Sequence, residues 1–214
     1  YAYLIIPFIK LFDLNIIAVR LPSAIFGVLA VLGTYFLVKE LFQRWEARGE
    51  KLDSDVGNGK KKSHFSLQNP ASSVPLLSSL LLALSPWHLQ FSRIAFEAQV
   101  GLSLNIFSIL FFLKGLKRGI YLLPAAAFAS LSLYIYQSEK VYLPMLSLVL
   151  ILIYWREIIK VSKKWIAGAV LVGIMLSIPM FFALINDSNS LLRARGVSIF
   201  ADQTQFLARN AVKY

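Results

Sequence analysis

The densest group of polar side chains set within apolar sequence is Ser85, Pro86, Trp87, His88, Gln90, Ser92, Arg93, Glu97 and Gln99. Ionisable groups are expensive near hydrocarbon, so Arg93 and Glu97 must pair with each other, reach the interface or line a wet cavity. If the helix that follows already begins by Arg93, a spacing of four places both on one face, close enough for an ion pair. A guanidinium fork matches phosphate oxygens, which makes Arg93 a candidate ligand for an anionic lipid-linked group and Glu97 the residue that orients it. The plainer alternative is an ion pair that only anchors a turn. A second group, Tyr134, Tyr136, Gln137, Glu139 and Lys140, leads into Tyr142 and Pro144. There Lys140 either holds a phosphate as a point charge or is an exposed turn residue. Arg193 and Arg195, with Asp187 and Asp202 nearby, read as a solvated basic surface.

Several chemistries are set aside. The two histidines, His64 and His88, are expected on opposite membrane faces, so they form no two-histidine metal site. The 214 residues contain no cysteine, which removes disulfides and thiolate ligands. No glycine-rich phosphate loop and no serine elbow is present, and no cofactor is expected. No segment reads as a cytoplasmic catalytic domain for ATP or a nucleotide-sugar, so any reaction uses residues at the outer membrane surface.

The elements that must position these groups follow from composition. With 57% hydrophobic and 15% charged residues and a positive mean hydropathy, the chain lies in the polytopic membrane range. Crossing a hydrocarbon core of about 30 Å takes roughly 20 helical residues. The apolar runs predict an all-α bundle of about six spans, at about 21 to 42, 73 to 91, 98 to 116, 119 to 138, 140 to 155 and 165 to 185. Lysine and arginine are rich in every second loop. Arg44, Arg48, Lys51 and Lys60 to Lys62 follow the first span, Lys114, Lys117 and Arg118 the third, and Arg156, Lys160, Lys163 and Lys164 the fifth. Those loops are predicted cytoplasmic by the positive-inside rule. Both chain ends and the turns Ser92 to Glu97 and Ser138 to Lys140 are then on the outer face. Topology also accounts for the net charge of +11, so nucleic acid is not an expected partner. Lys60 to Lys62 either touch anionic headgroups or lie on a solvated loop.

Residues 1 to 20 read as an outer-face interfacial segment. Within it Tyr3 to Phe12, with Pro7 and Lys10, is too short to span. Residues 21 to 185 form the bundle, with a mobile cytoplasmic loop at 43 to 72, and 186 to 214 begin an outer loop. The first span is expected to open at Arg20, Leu21, Pro22, Ser23, with proline in the first helical turn. Gly27, Ala30, Gly33 and Thr34 form a small-residue stripe that predicts close helix approach rather than a ligand site. Tyr121, Tyr134, Tyr136, Tyr142, Trp87, Trp155 and Trp165 fall near span ends, at headgroup level. A first residue Tyr1, no signal peptide and an unclosed C-terminal stretch suggest a fragment.

Arg20 to Phe42 and Leu80 to Gly115 resemble early spans of the multispanning GT-C glycosyltransferases. The likeness is to family 39-like enzymes related to dolichyl-phosphate-mannose protein mannosyltransferases and the lipid A aminoarabinose transferase. It rests on Arg20 to Ser23, the Ser85-Pro86 element and Ser92-Arg93. The resemblance implies an outer-face active site in a multi-pass protein of the cell membrane, with a polyprenyl-phosphate sugar as donor and a hydroxyl of a protein or glycolipid as acceptor. It also implies a catalytic aspartate in a first outer loop, which would precede Tyr1; Asp13 lies too near Arg20 to take that place. A carboxylate there takes the acceptor proton while cations hold the departing phosphate. Arg93 and Lys140 are the preferred phosphate-side candidates, Arg20 the third, and Glu97 an orienting residue. The alternative is a transporter or lipid flippase, a class that places polar groups near the bilayer midplane. Asn105 and Ser108 point that way, whereas Arg93, Glu97 and Lys140 gather at one end of the spans. A non-catalytic assembly subunit is a third option.

Overall fold

A computed structural model describes residues 2 to 55, 70 to 136 and 138 to 186, and the described residues are helical with short connections. In chain order these are α1 (Ala2–Phe12), α2 (Ile16–Asp55), α3 (Pro70–Leu84), α4 (Pro86–Arg93), α5 (Glu97–Lys117), a 3-10 turn (Gly119–Tyr121), α6 (Leu122–Ile135), α7 (Glu139–Ile158) and α8 (Lys163–Asn186). The chain forms two compact units, Tyr1–Leu176 and Ser177–Tyr214, and the described part of the second is the last turns of α8.

Among the described residues, four helical stretches are long and apolar enough to cross a membrane: Ile16–Arg48, Glu97–Lys117, Glu139–Ile158 and Lys163–Phe182. Ser73–Leu84 and Pro86–Arg93 make a fifth if the pair, bent by 58°, counts as one span. These are the helices of an integral membrane protein. The expected crossing at 119 to 138 is shorter than the pattern predicted. With the 3-10 turn that opens it the apolar helix runs Gly119–Ile135, at the lower limit of the roughly 17 to 25 residues that a crossing takes.

Local chemistry explains the breaks. Pro86 disfavours helical geometry at the residue before it, and Ser85 is accordingly extended (φ −60°, ψ 125°), which bends the chain between α3 and α4. Asp13 adopts a left-handed backbone (φ 58°), a conformation aspartate tolerates, and separates α1 from α2. α2 starts at Ile16, so Pro22 lies inside the helix rather than in its first turn, and it is fully buried. α2 also runs on to Asp55, so the first part of the 43 to 72 segment is helix; residues 56 to 69 lie outside the described residues.

α5 is the centre of the first unit: 56% of its apolar window is buried, against 6% for α7. It packs on α2 through the small-residue stripe. Ala30 is fully buried and a Cβ on Gly33 would meet Ile106 Cγ2 of α5 at 2.9 Å, while one on Gly27 would meet Ser92 Cβ of α4 at 2.8 Å. The stripe therefore serves close approach, as its spacing predicted. On the other side, Phe107 and Phe111 stack with Phe128, and Phe111 with Tyr121, joining α5 to α6. Ser108 Oγ donates to the Ala125 carbonyl at 3.1 Å.

Candidate functional site

The two ends of the bundle carry their polar residues differently. At one end Glu40, Arg44 and Arg48 of α2 meet the last turns of α5 and α7 in an ion-pair network. Arg44 bonds Glu40 (3.2 Å) and Glu157 (2.7 Å) and donates to the Leu113 carbonyl; Arg48 bonds Glu157 (3.0 Å), and Lys117 bonds Glu40 (2.8 Å). Every charge in this cluster has an opposite partner.

The opposite end holds the residues singled out by sequence. Ser23 Oγ donates to the Phe91 carbonyl at 2.9 Å, tying α2 to α4. Arg20 lies one turn before Ser23 and Arg93 two residues after Phe91, so the bond brings both arginines to this end; both are exposed. α4 stops at Arg93, Ile94 and Phe96 are extended, and α5 starts only at Glu97. Arg93 and Glu97 therefore do not share a helix, and the anticipated ion pair does not form between them. The spacing of four fails because two extended residues turn the chain within it. Glu97, also exposed, opens the first turn of α5, where a carboxylate suits the helix dipole.

An aromatic row joins the two turns at this end. Trp87 and Phe91 lie 6.0 Å apart, Phe91 and Phe96 stack at 4.9 Å, and Phe96 reaches Tyr136 at 6.2 Å. Because α6 is short, the turn from Tyr136 to Glu139 is recessed rather than level with the start of α5. Glu139, the first residue of α7, meets Asn105, which lies roughly 12 Å along α5 from Glu97. Asn105 Nδ2 donates to both carboxylate oxygens of Glu139, at 2.9 and 2.8 Å. Gly101, one turn earlier, makes room for them: a Cβ there would stand 3.0 Å from Glu139 Oε1. Both partners are buried, Glu139 to 7% and Asn105 to 5% exposure. Lys140, beside Glu139, is half-buried.

A second buried polar pair lies between α4 and α5. His88 Nε2 and Gln99 Nε2 are 3.0 Å apart and buried, against Gly27 of α2. The donor in this pair depends on the histidine tautomer. The ring lies against the Gly27 backbone, but Nδ1 completes no hydrogen bond of normal geometry. Asn105 Oδ1 and Ser103 Oγ are likewise buried without a hydrogen-bond partner. No group of three or more histidine, aspartate or glutamate side chains fit to hold a metal occurs among the described residues.

Arg93, Glu97 and Arg20 thus lie exposed at one end of the bundle, while Lys140, half-buried beside Glu139, is set deeper in the same half. Arg193, Arg195, Asp187, Asp202 and His64 lie outside the described residues. Sequence reasoning missed the pairing of Glu139 with Asn105 and of His88 with Gln99. One signal was available: Gly101, Asn105 and Ser108 recur at four and three residues along α5, a small and polar stripe inside an apolar span. No protein-family model, curated protein or solved structure matches the chain.

Proposed function

We propose that the protein is a membrane glycosyltransferase that transfers a sugar from a polyprenyl-phosphate donor to a hydroxyl acceptor at the outer membrane face. The observation that carries this reading is the gathering of exposed Arg20, Arg93 and Glu97 at one end of the bundle, with half-buried Lys140 set deeper in the same half, opposite the end where ion pairs form. Lysine and arginine of the loops after α2, α5 and α7 put the ion-paired end in the cytoplasm. The other end then meets lipid headgroups on the outside.

In this reading the exposed guanidiniums of Arg93 and Arg20 and the ammonium of Lys140 hold the donor phosphate. That phosphate leaves already charged, so stabilising it takes cations and no general acid. Glu97 orients a neighbouring cation or a hydroxyl of the sugar. The proton of the acceptor hydroxyl goes to a carboxylate as oxygen bonds the anomeric carbon and the carbon–phosphate-oxygen bond breaks; the resemblance assigns that base to an aspartate that would precede Tyr1. The test is turnover of a polyprenyl-phosphate sugar by the full-length protein in lipid nanodiscs. Arg93→Ala and Lys140→Ala should each lower kcat/KM by on the order of tenfold or more. Unchanged turnover in both variants sinks the assignment.

One observation favours the second reading, a transporter or flippase. The helix broken by 58° at Ser85–Pro86 and the buried Glu139–Asn105 pair are features used for binding within the bilayer. Movement of a lipid-linked substrate across proteoliposomes without a new glycosidic bond would select it.

A further inference from the structure

We propose that Glu139 is a positioning residue. Latched to Asn105, it sets the depth of the α7 N-terminus and so presents Lys140 to the phosphate of the lipid-linked donor. The proposal rests on the glycosyltransferase reading for the identity of the ligand, whereas the latch itself rests on geometry.

The geometry is specific. A single amide, Asn105 Nδ2, reaches both oxygens of Glu139 at 2.9 and 2.8 Å, and Gly101 leaves the space the carboxylate fills. Along its length α7 buries little: Leu143 is buried and Tyr154 meets Phe112 edge to face, whereas Val141, Met145, Leu148 and Leu152 are exposed. At its far end α7 is held by Glu157, through Arg44 and Arg48. Nearer its start the Glu139–Asn105 pair ties it to α5. These polar contacts, with Leu143 and Tyr154 between them, fix its axial position. Lys140 follows Glu139 directly in the chain, so its backbone moves with the latch.

Glu139 is not offered as a catalytic base. Its two oxygens are occupied by Asn105 and it is nearly inaccessible, so it does not meet an acceptor hydroxyl. The unpartnered Asn105 Oδ1 supplies a diagnostic. In Glu139→Gln, the new amide can accept from Asn105 Nδ2 and donate to Asn105 Oδ1, which makes a reciprocal pair and keeps the latch without the charge. Glu139→Ala and Asn105→Ala both abolish it.

These 214 residues contain no cysteine, so Lys140→Cys introduces the one thiol among them, and the Lys140 form serves as the labelling blank. Full-length protein carrying K140C in nanodiscs is reacted with a membrane-impermeant maleimide in four backgrounds: unaltered, E139Q, E139A and N105A. The expected result is a labelling rate shifted severalfold in E139A and N105A, and unshifted in E139Q. Equal rates in all four overturn the latch, and so does E139Q behaving as E139A. Donor kinetics on the Lys140 form then test the consequence. E139A should raise the donor KM on the order of tenfold with kcat nearly preserved, E139Q should restore it, and E139A/K140A should be no worse than K140A alone. A fall in kcat at unchanged KM, or additive losses in the double variant, overturns the positioning role. If the unaltered protein turns over no lipid-linked sugar, the glycosyltransferase reading falls, and labelling still decides the latch.

Discussion

The two ends of the bundle bury polar groups by opposite means. At one, Arg44, Arg48 and Lys117 neutralise Glu40 and Glu157 across three helices, and each charged group meets its opposite. At the other, Glu139 is received by a neutral amide, His88 by Gln99, and three buried polar atoms keep no hydrogen-bond partner. A satisfied network rigidifies and specifies an arrangement. The first end acts as a clamp.

That contrast is broken or sharpened by substitution. The largest effect is expected at Arg44, whose side chain is 14% exposed and bonds Glu40, Glu157 and the Leu113 carbonyl. Arg44→Met removes three bonds at once, leaving Glu40 to Lys117 and Glu157 to Arg48, and should destabilise by about 3 kcal/mol, read as thermal unfolding in detergent, with little loss of donor affinity at the far end. A kinetic defect exceeding the stability defect would erase the division between ends. Asn105→Ala removes both bonds to a buried carboxylate and should destabilise by about 2 kcal/mol, a value lowered from soluble cases because interhelical bonds in membranes are weaker. It should impair donor binding as well, so this substitution separates the ends most cleanly. Gly27→Ala forces a Cβ to 2.8 Å from Ser92 Cβ. It should cost about 1 to 2 kcal/mol and disturb the His88–Gln99 pair, detectable as altered histidine NMR shifts. Arg48→Ala is expected to be smallest. Arg48 is 69% exposed, so its loss should cost less than about 1 kcal/mol and the difference should fade in high salt.

Much of the fold is legible in the residues. Apolar length and composition identify α2, α5, α7 and α8 as membrane helices, and the Gly27, Ala30, Gly33 stripe foretells the face on which α2 meets α5. The run read as one span at 73 to 91 is instead bent by 58° at Ser85-Pro86, because proline restricts the residue before it. Less legible are the elements whose limits depend on neighbours. The run at 119 to 138 is apolar enough to be read as a crossing, yet α6 spans Leu122–Ile135, with its Phe128 fitted to Phe107 and Phe111. Arg93 and Glu97 invite pairing by spacing, but extended Ile94 and Phe96 cancel the helical register that spacing assumes.

By itself, then, the sequence determined that this is an integral membrane protein of apolar helices, which loops carry the positive charge, and which residue types are available for phosphate chemistry. Those properties are sums and periodicities along the chain, and hydrocarbon selects them without reference to any neighbour. Only the tertiary structure decided that Glu139 descends to Asn105, that Gln99 answers His88, and that Glu157 closes on Arg44. These pairs join residues far apart in the chain, and their partners are chosen by helix length, crossing and depth, which no local pattern records.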